Sequence, residues 1–149
     1  MDTHTLFWDV DTQYDFMMPD GRLYVQGARE IIPVVSRLRT MALESGFSIV
    51  ASMDWHRQDH PEISDEPDFQ ETFPPHCMAD SRGARRVGAL GDLPIDVIDP
   101  EPWDPDELAR LTQRDQFHVA IHKESLDVFS NPNTAALLHS MPQLPERIV

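Results

Sequence analysis

Residue types that bind metal ions are concentrated in the middle of the sequence. Asp54 and His56 are separated by one residue, and His60 and His76 follow. In extended backbone alternate side chains point the same way, so Asp54 and His56 can face one ion. Either His60 or His76 can be the third ligand, because spacing alone does not distinguish them. The remaining histidines are not expected to be ligands, and the two within the predicted strand 117–122 are expected to face solvent or a helix: His4, His118, His122 and His139. One carboxylate and two imidazoles suit Zn²⁺, Fe²⁺ or Mn²⁺ and leave coordination positions open for water or substrate.

A charged residue also stands at the end of each of three predicted strands. Asp11 follows the apolar stretch 6–10, Asp54 follows 47–53, and Lys123 follows 117–122. Ligands of open parallel sheets bind at the carboxyl ends of the strands, so these side chains are expected at one rim. A single charged residue at a strand end is usually there only because strand ends are exposed to water. The three together predict a functional site.

The elements that must position these residues alternate between strands and helices. Pro33 is tolerable only in a first turn, so the first long helix is expected to start near Ile32 and to stop at Gly46. Asp104, Pro105 and Glu107 open a second helix with an N-cap and a capping box. Residues 57–79 have no periodicity and are predicted to form an irregular functional loop. The predicted strands cover 6–10, 47–53, 97–98, 117–122 and the beginning of one more at 145–149, and a last helix follows residues 131–132.

This alternation predicts an α/β fold, a three-layer α/β/α sandwich with a mainly parallel, doubly wound sheet. The 149 residues suit a single domain. The net charge of −14 repels phosphate backbones and argues against a nucleic-acid partner. A single cysteine, Cys77, rules out a disulfide within the chain and favours a cytoplasmic protein. The polar start at 1–5 does not resemble a signal peptide, and no apolar stretch is long enough for a membrane span.

Five segments, in order, closely resemble motifs of the nicotinamidase and isochorismatase family of cysteine hydrolases. Any one of these motifs is weak, and their ordered set along nearly the whole chain is specific. They are VDTQYDF at 10–16, GRLYVQGA at 21–28, DWHRQDH at 54–60, FPPHC at 73–77 with Gly83-Ala84 after it, and Lys123 followed by FSNPN at 129–133.

The resemblance implies an isochorismatase-like domain that hydrolyses the amide of a small aromatic or heteroaromatic molecule through a thioester, with nicotinamide to nicotinate as the best candidate. Asp11 would take the proton from a cysteine thiol. Lys123 would keep Asp11 charged and stabilise the thiolate or the oxyanion. Phe16 and Phe73 would line a flat aromatic pocket for this small-molecule substrate.

The resemblance also assigns a divalent metal, with zinc as the first choice and iron or manganese as alternatives. Asp54, His56 and His76 would bind the ion, which would anchor the pyridine nitrogen. His60 would then be a neighbour of the site and not a ligand. Retention of this set favours nicotinamidase over isochorismatase, which lacks it.

The main departure from the family pattern concerns the nucleophile. The family's catalytic cysteine follows the strand that begins at 148–149, so the resemblance implies a domain 1–149 that lacks its C-terminal part and is inactive as it stands. Cys77 is more simply a buried small side chain than the nucleophile. An unfinished sheet has an open edge, which favours a homo-oligomer or a complementing segment.

Smaller departures concern the substrate, and two other functions stay open. Phe73 stands where nicotinamidases favour tryptophan, and Arg57 replaces a usual proline. One alternative is a metal-dependent hydrolase without a cysteine, in which Asp11 acts as the base. The other is a non-catalytic domain that binds a partner through its sheet edge.

Overall fold

A computed structural model describes residues 5–91, 93 and 95–149. The polar stretch 1–4 lies outside the described residues, and with it His4, which was not expected to bind metal. The described strands are β1 (Thr5–Val10), β2 (Ser48–Asp54), β3 (Asp96–Ile98), β4 (His118–Lys123) and β5 (Arg147–Ile148). These five strands form one parallel sheet in the order β3-β4-β2-β1-β5.

Helices cover both faces of this sheet. Phe7 and Ile49 pack with Ala42 of the long helix on one face. Val50 and Ile121 pack with the other helices on the opposite face. The three-layer, doubly wound α/β/α architecture is therefore confirmed, because alternate residues of each strand supply the two cores. The helices are α1 (Tyr14–Met17), α2 (Ala28–Glu44), α3 (Pro105–Thr112) and α4 (Asn133–Ser140), with a 3₁₀ turn at Val128–Ser130.

The start of α2 was predicted wrongly. The helix begins at Ala28, so Pro33 lies in its second turn and not in its first. The first turn is held from outside, since the backbone N–H of Ala28 donates to Val25 and that of Glu30 donates to Gly27. These bonds and the burial of Ala28 offset the hydrogen bond that Pro33 cannot make.

The capped start of α3 was predicted correctly. The carboxylate of Asp104 accepts from the backbone N–H of Asp106 at 2.8 Å, with Pro105 in the first turn. The stretch 57–79 contains isolated bridges and no helix or longer strand, as expected for an irregular loop. Among the described residues, none of the helices combines the length and apolar character that a bilayer crossing requires.

A buried charged network ties α2 to β1. Asp9 and Arg39 are both almost fully buried, and the guanidinium Nε of Arg39 donates to Asp9 Oδ2 at 2.7 Å. Arg39 also donates to Thr12 Oγ1 and to the carbonyl of Val87, and Arg86 approaches Asp9 at 3.3 Å. Buried charges persist only when paired and hydrogen-bonded. The network therefore fixes the chain on both sides of the turn that follows β1.

Candidate active site

The register of the central strands places the predicted site residues side by side. Asp54 of β2 is paired directly with Lys123 of β4. The backbone N–H of Asp11, just after β1, donates to the carbonyl of Ser52 at 3.0 Å. The carboxyl ends of three neighbouring strands thus meet at one rim, and Asp11, Asp54 and Lys123 lie there together, as the sequence indicated.

Asp54, His56 and His76 form a buried cluster that could hold a metal ion, and we call these three residues the metal-type cluster. One potential ligand atom from each lies within 4.8 Å of the others. Nε2 of His56 is 3.6 Å and Nε2 of His76 is 3.4 Å from the same oxygen, Asp54 Oδ2. The imidazoles therefore converge on one carboxylate oxygen, as ligands around a common ion do.

The hydrogen bonds of the two imidazoles fit a metal. Nδ1 of His76 lies 2.8 Å from the carbonyl oxygen of Pro74, which can only accept, so this nitrogen carries the proton. Its Nε2 then has a free lone pair directed at Asp54, the arrangement that orients metal-binding histidines. Neither ring nitrogen of the buried His56 has a hydrogen-bond partner within the described part of the chain. A metal ion would satisfy its Nε2.

His60 lies beside this cluster and not in it. Its ring centroid is 5.7 Å from that of His56, and its Nδ1 accepts from the backbone N–H of Glu62 at 3.4 Å. The structure thus brings His76, and not His60, to Asp54 and His56. Spacing alone had left both histidines open for the third position, and the family resemblance had assigned it to His76.

Lys123 connects the metal-type cluster to Asp11. Its ammonium is buried, contacts Asp54 Oδ1 and lies 3.3 Å from Asp11 Oδ2. Burial alone would lower the pKa of Lys123, but the two carboxylates outweigh it and raise the pKa. Burial would likewise raise the pKa of Asp54, but His56, His76 and Lys123 hold it well below its usual range. Both groups are therefore charged at neutral pH.

The carboxyl group of Asp11 binds a proton more readily than an ordinary aspartate does. Burial raises the pKa of Asp11 to about 6, since the opposing charge of Lys123 is shared with Asp54 and the Asp54 carboxylate adds repulsion. The backbone of Asp11 is also in the left-handed region, with φ 49°. Asp11 thus combines a proton affinity near neutrality with a conformation that most residues avoid.

Two polar residues that sequence reasoning left without a role hold this rim in place. The buried amide of Gln13 clamps the backbone of Asp54: its Oε1 accepts from Asp54 N–H at 2.8 Å, and its Nε2 donates to the Asp54 carbonyl at 2.7 Å. Asp15 Oδ2 accepts from the backbone N–H of Cys77 at 2.7 Å. Both residues could have been proposed from the segment 10–16, because polar residues there directly follow a buried strand.

An aromatic pocket opens above the cluster. Its volume is about 610 Å³, within the range of small-ligand sites. Phe16 and Phe73 line it, and their rings lie 5.4 and 6.1 Å from the imidazole of His76. Asp11, Asp54 and His76 also face it. The predicted aromatic walls and the charged residues therefore border one cavity.

Cys77 does not have the environment of a nucleophile. The residue has no exposed surface, and its Sγ points to the carbonyl of Gly83 at 3.7 Å. Burial strongly raises the pKa of its thiol, and the surrounding carboxylates add to the effect. A reactive cysteine needs a lowered pKa and access, so the interpretation of Cys77 as a small buried side chain agrees with the structure.

The expectation that His122 faces solvent or a helix was wrong. Its ring is buried and stacks on Trp55 at 4.1 Å between centroids, with Nδ1 2.8 Å from Asp99 Oδ1. The alternation of side chains along a strand could not predict this contact, because Trp55 lies beyond the end of β2. His122 packs there as an aromatic ring, outside the metal-type cluster.

The raised pKa of Asp11 predicts that Asp11→Asn stabilises the metal-free chain. A carboxyl whose folded pKa lies above its unfolded pKa of 3.8 destabilises the native state as pH rises through about 6. Asparagine removes this cost and accepts the left-handed backbone. We expect a gain of about 1–2 kcal/mol in unfolding free energy near pH 8, discounted for partial exposure, and almost none near pH 4.

Urea unfolding with a chelator present measures this difference at both pH values. Asp65→Asn is a matched control, because Asp65 is an exposed carboxylate. A variant at position 11 that is less stable than the original chain near pH 8 would contradict the role of burial at this carboxyl.

Comparison with known proteins supports the family resemblance. The chain is 29% identical over 89 residues to the nicotinamidase/pyrazinamidase of Mycobacterium tuberculosis (strain ATCC 25618 / H37Rv), which covers 60% of this chain and 47% of that protein. The chain thus spans about half the length of this curated relative. No family model matches the chain.

Solved structures share the fold. The pyrazinamidase of Pyrococcus horikoshii in complex with zinc is 29% identical, with a TM-score of 0.54 over 80% of this chain and 70% of that one. A nicotinamidase from Bacillus subtilis gives a TM-score of 0.68 at 21% identity, covering 99% and 70% of the two chains. The pyrazinamidase/nicotinamidase of Streptococcus mutans gives 0.63 at 22%, covering 91% and 65%.

The architecture is an isochorismatase-like α/β fold. In sequence the chain is similar to nicotinamidases and pyrazinamidases, which supports its resemblance to the nicotinamidase and isochorismatase family.

Proposed function

We propose that this domain supplies the base, the ammonium group and the metal site of a cysteine hydrolase that cleaves the amide of a small aromatic or heteroaromatic molecule, with nicotinamide as the leading candidate. One observation supports this most strongly. The buried ammonium of Lys123 contacts both Asp11 and Asp54, and Asp54 is shared with the imidazoles of His56 and His76. Proton transfer, charge stabilisation and metal binding thus converge at one pocket.

The proposed metal is zinc, held by Asp54, His56 and His76. The donor set, the unpartnered nitrogens of His56 and the tautomer of His76 fit it. A similar pyrazinamidase was solved in complex with zinc. When bound, zinc would act as a Lewis acid that anchors a ring nitrogen of the substrate. Phe16 and Phe73 would hold the ring between aromatic walls, which excludes water from the reacting amide.

Asp11 would take the proton of the attacking thiol. Its pKa of about 6 leaves it mostly ionised at neutral pH and still basic enough for proton transfer. Lys123 remains protonated because both carboxylates raise its pKa, so it can stabilise the thiolate and the oxyanion of the tetrahedral intermediate. Asp11 would then return its proton to the leaving nitrogen.

Cys77 is enclosed, so the proposal does not assign the attacking thiol to it. We include in the proposal a complementing segment, on the same polypeptide or on another copy. A second cavity, of about 560 Å³, supports this part of the proposal. Asp11 and Lys123 line this cavity, and Lys123 also contacts Asp54 of the metal-type cluster. Most of the other walls of this cavity are apolar, among them Val10, Phe129 and Val149, and Ser52 and Asp127 are the polar residues that also line it. A segment seated there would bring a thiol to Asp11. A reducing, cytoplasmic location would keep that thiol free.

Nicotinamide turnover tests this proposal on the chain as given and on a version extended past Val149. We expect zinc-dependent release of nicotinate from the extended version, abolished by a thiol-alkylating reagent and by Asp11→Asn. Exchange of Phe16 for leucine, which keeps the wall apolar, should reduce turnover less than exchange of Asp11. An extended, zinc-loaded version that contains a cysteine and releases no nicotinate would overturn the proposal.

A second candidate is a metal-dependent hydrolase without a cysteine. The observation that favours it is the position of Asp11, a base with a pKa of about 6 that borders the same pocket as the metal-type cluster. It predicts that the 149-residue chain hydrolyses the amide alone, in a chelator-sensitive and alkylation-insensitive manner. Stable assembly with a partner after metal removal, with no turnover, would instead indicate a non-catalytic role.

A further inference from the structure

Trp55 stands between two of the proposed metal ligands and takes no part in the chemistry described above. The side chains of Asp54 and His56 meet at the metal-type cluster, and that of Trp55 lies outside it. Its ring lies flat on the buried imidazole of His122, with 4.1 Å between the ring centroids and 11° between the ring planes. Aromatic pairs have preferred geometries, so this contact restricts the orientation of the Trp55 side chain.

The backbone changes its hydrogen-bonding partner at Trp55. The N–H of Trp55 donates to the carbonyl of Lys123 at 2.8 Å, which continues the pairing of β2 with β4. One residue later, the N–H of His56 donates to the carbonyl of Cys77 at 3.1 Å, in the irregular loop. The direction of the chain between Asp54 and His56 is therefore not set by one continuous ladder. The stacked indole is the side-chain contact at the point where the chain changes partners.

The imidazole of His122 is itself held in place. Its Nδ1 lies 2.8 Å from Oδ1 of Asp99, the residue that follows β3, and a carboxylate only accepts, so this nitrogen carries the proton. The buried amide of Asn131 donates to the carbonyl of His122 at 2.9 Å, and that of Asn133 donates to the carbonyl of Asp99 at 2.9 Å. The ring beneath Trp55 is therefore fixed through its side-chain nitrogen and through its backbone.

We propose that Trp55 and His122 are positioning residues for the metal, and that their stacked rings fix the angle at which Asp54 and His56 face the ion. The inference rests on the proposed function, because it takes the metal-type cluster to bind zinc. Among the described residues, the two rings offer no ligand atom to the cluster. They act through the backbone that joins two ligands. Residues that orient a metal ligand contribute roughly 10- to 100-fold to metal affinity.

The zinc affinity of His122→Ala tests this inference without turnover. The change leaves the indole of Trp55 without its stacking partner, so we expect zinc to bind about tenfold more weakly. Competition with a chromophoric chelator near neutral pH measures the affinity, at a temperature at which circular dichroism shows each variant to be folded. His122→Phe keeps a flat ring beneath the indole and should bring the affinity to within about threefold of that of the original chain.

The absorption spectrum of the Co²⁺-loaded chain is a readout that a loss of stability alone would not change. The visible bands of Co²⁺ depend on the number and geometry of its ligands. At saturating Co²⁺, His122→Ala should shift these bands relative to the original chain. His122→Phe should keep the original spectrum.

Val119→Ala is the matched control for this experiment. Val119 is fully buried on β4, the strand that carries His122, so its truncation also leaves a cavity and lowers stability. It belongs to a different apolar cluster from the one against which Trp55 packs. Val119→Ala should therefore leave the zinc affinity and the Co²⁺ spectrum unchanged.

The outcomes distinguish the inference from the proposed function on which it rests. If His122→Ala binds zinc as the original chain does and keeps its Co²⁺ spectrum, the stacked rings do not position the ligands, while the metal site stands. Equal losses in His122→Ala and Val119→Ala would also contradict the inference, because they would reflect stability in general. If the original chain binds neither zinc nor Co²⁺, the metal site of the proposed function is wrong and the inference fails with it.

Discussion

Replacing His76 or His56 with alanine should weaken zinc binding to this chain by roughly a hundredfold or more. Loss of a residue that only orients a metal ligand already costs about 10- to 100-fold in affinity, and loss of the ligand itself costs more. Both imidazoles approach Asp54 Oδ2 within 3.6 Å, so each removal leaves only two protein ligands. Competition with a chromophoric chelator near neutral pH measures the affinity of each variant.

His60→Ala is the matched control for this experiment. His60 is the same residue type in the same loop, but its Nδ1 is engaged by the backbone of Glu62 and it lies outside the three-residue cluster. We expect its zinc affinity to change by less than about tenfold. Equal losses in all three alanine variants would refute the ligand assignment.

Acid should release the metal through the same histidines. Burial would lower the pKa of His76, but the neighbouring carboxylate of Asp54 and the carbonyl of Pro74 raise it in the metal-free chain. Protons therefore compete with zinc from a higher pH than for an ordinary histidine, since only neutral imidazole binds the ion. Zinc affinity should therefore already be falling before the pH drops to 6.5, the ordinary pKa of histidine, and should fall further below it.

Arg39→Met should destabilise the chain by about 3 kcal/mol, the lower part of the range for breaking a buried ion pair. The change leaves the buried carboxylate of Asp9 with Thr12 as a hydrogen-bond donor and with the more distant Arg86 as its charged partner among the described residues. It also leaves the carbonyl of Val87 without its donor. For a chain of this length the melting temperature should fall by roughly 6–12 °C.

Calorimetric melting of Arg39→Met beside Arg37→Met tests this expectation. Arg37 lies on the same helix and is exposed, so its exchange should change stability by less than about 0.5 kcal/mol. The methionine keeps the length and the apolar stem in both variants. If the two variants melt together, the buried network does not carry the stability assigned to it.

The sequence predicted the parts of this protein that repeat a local pattern. The strand ends at Asp11, Asp54 and Lys123 could be placed at one rim, because parallel strands all point the same way. The candidate metal ligands could be narrowed to four residues. Alternate residues of an extended segment face the same way, which pairs Asp54 with His56 and leaves His60 or His76 as the third ligand. Spacing could not decide between His76 and His60, because no periodicity encodes the path of the irregular loop. The family resemblance favoured His76, and the loop brings His76 to the cluster.

Features that depend on contacts between distant segments could not be predicted. Arg39 resembles a surface residue of α2 until Asp9, on β1, is known to lie beneath it. The start of α2 ahead of Pro33 depends on hydrogen bonds from the preceding turn. The pKa of Asp11 depends on how far the surrounding chain excludes water, which residue types alone do not indicate.

The left-handed backbone at position 11 limits how this domain can change over generations. Asparagine and glycine tolerate φ 49° with little strain, and neither can accept a proton as aspartate does. The substitutions that this backbone tolerates would therefore abolish proton transfer, and Asp11→Asn would at the same time raise the free energy of unfolding. The metal-type cluster and the aromatic walls would be kept in such a variant, so a slightly more stable receptor for small molecules differs from the proposed hydrolase by one substitution.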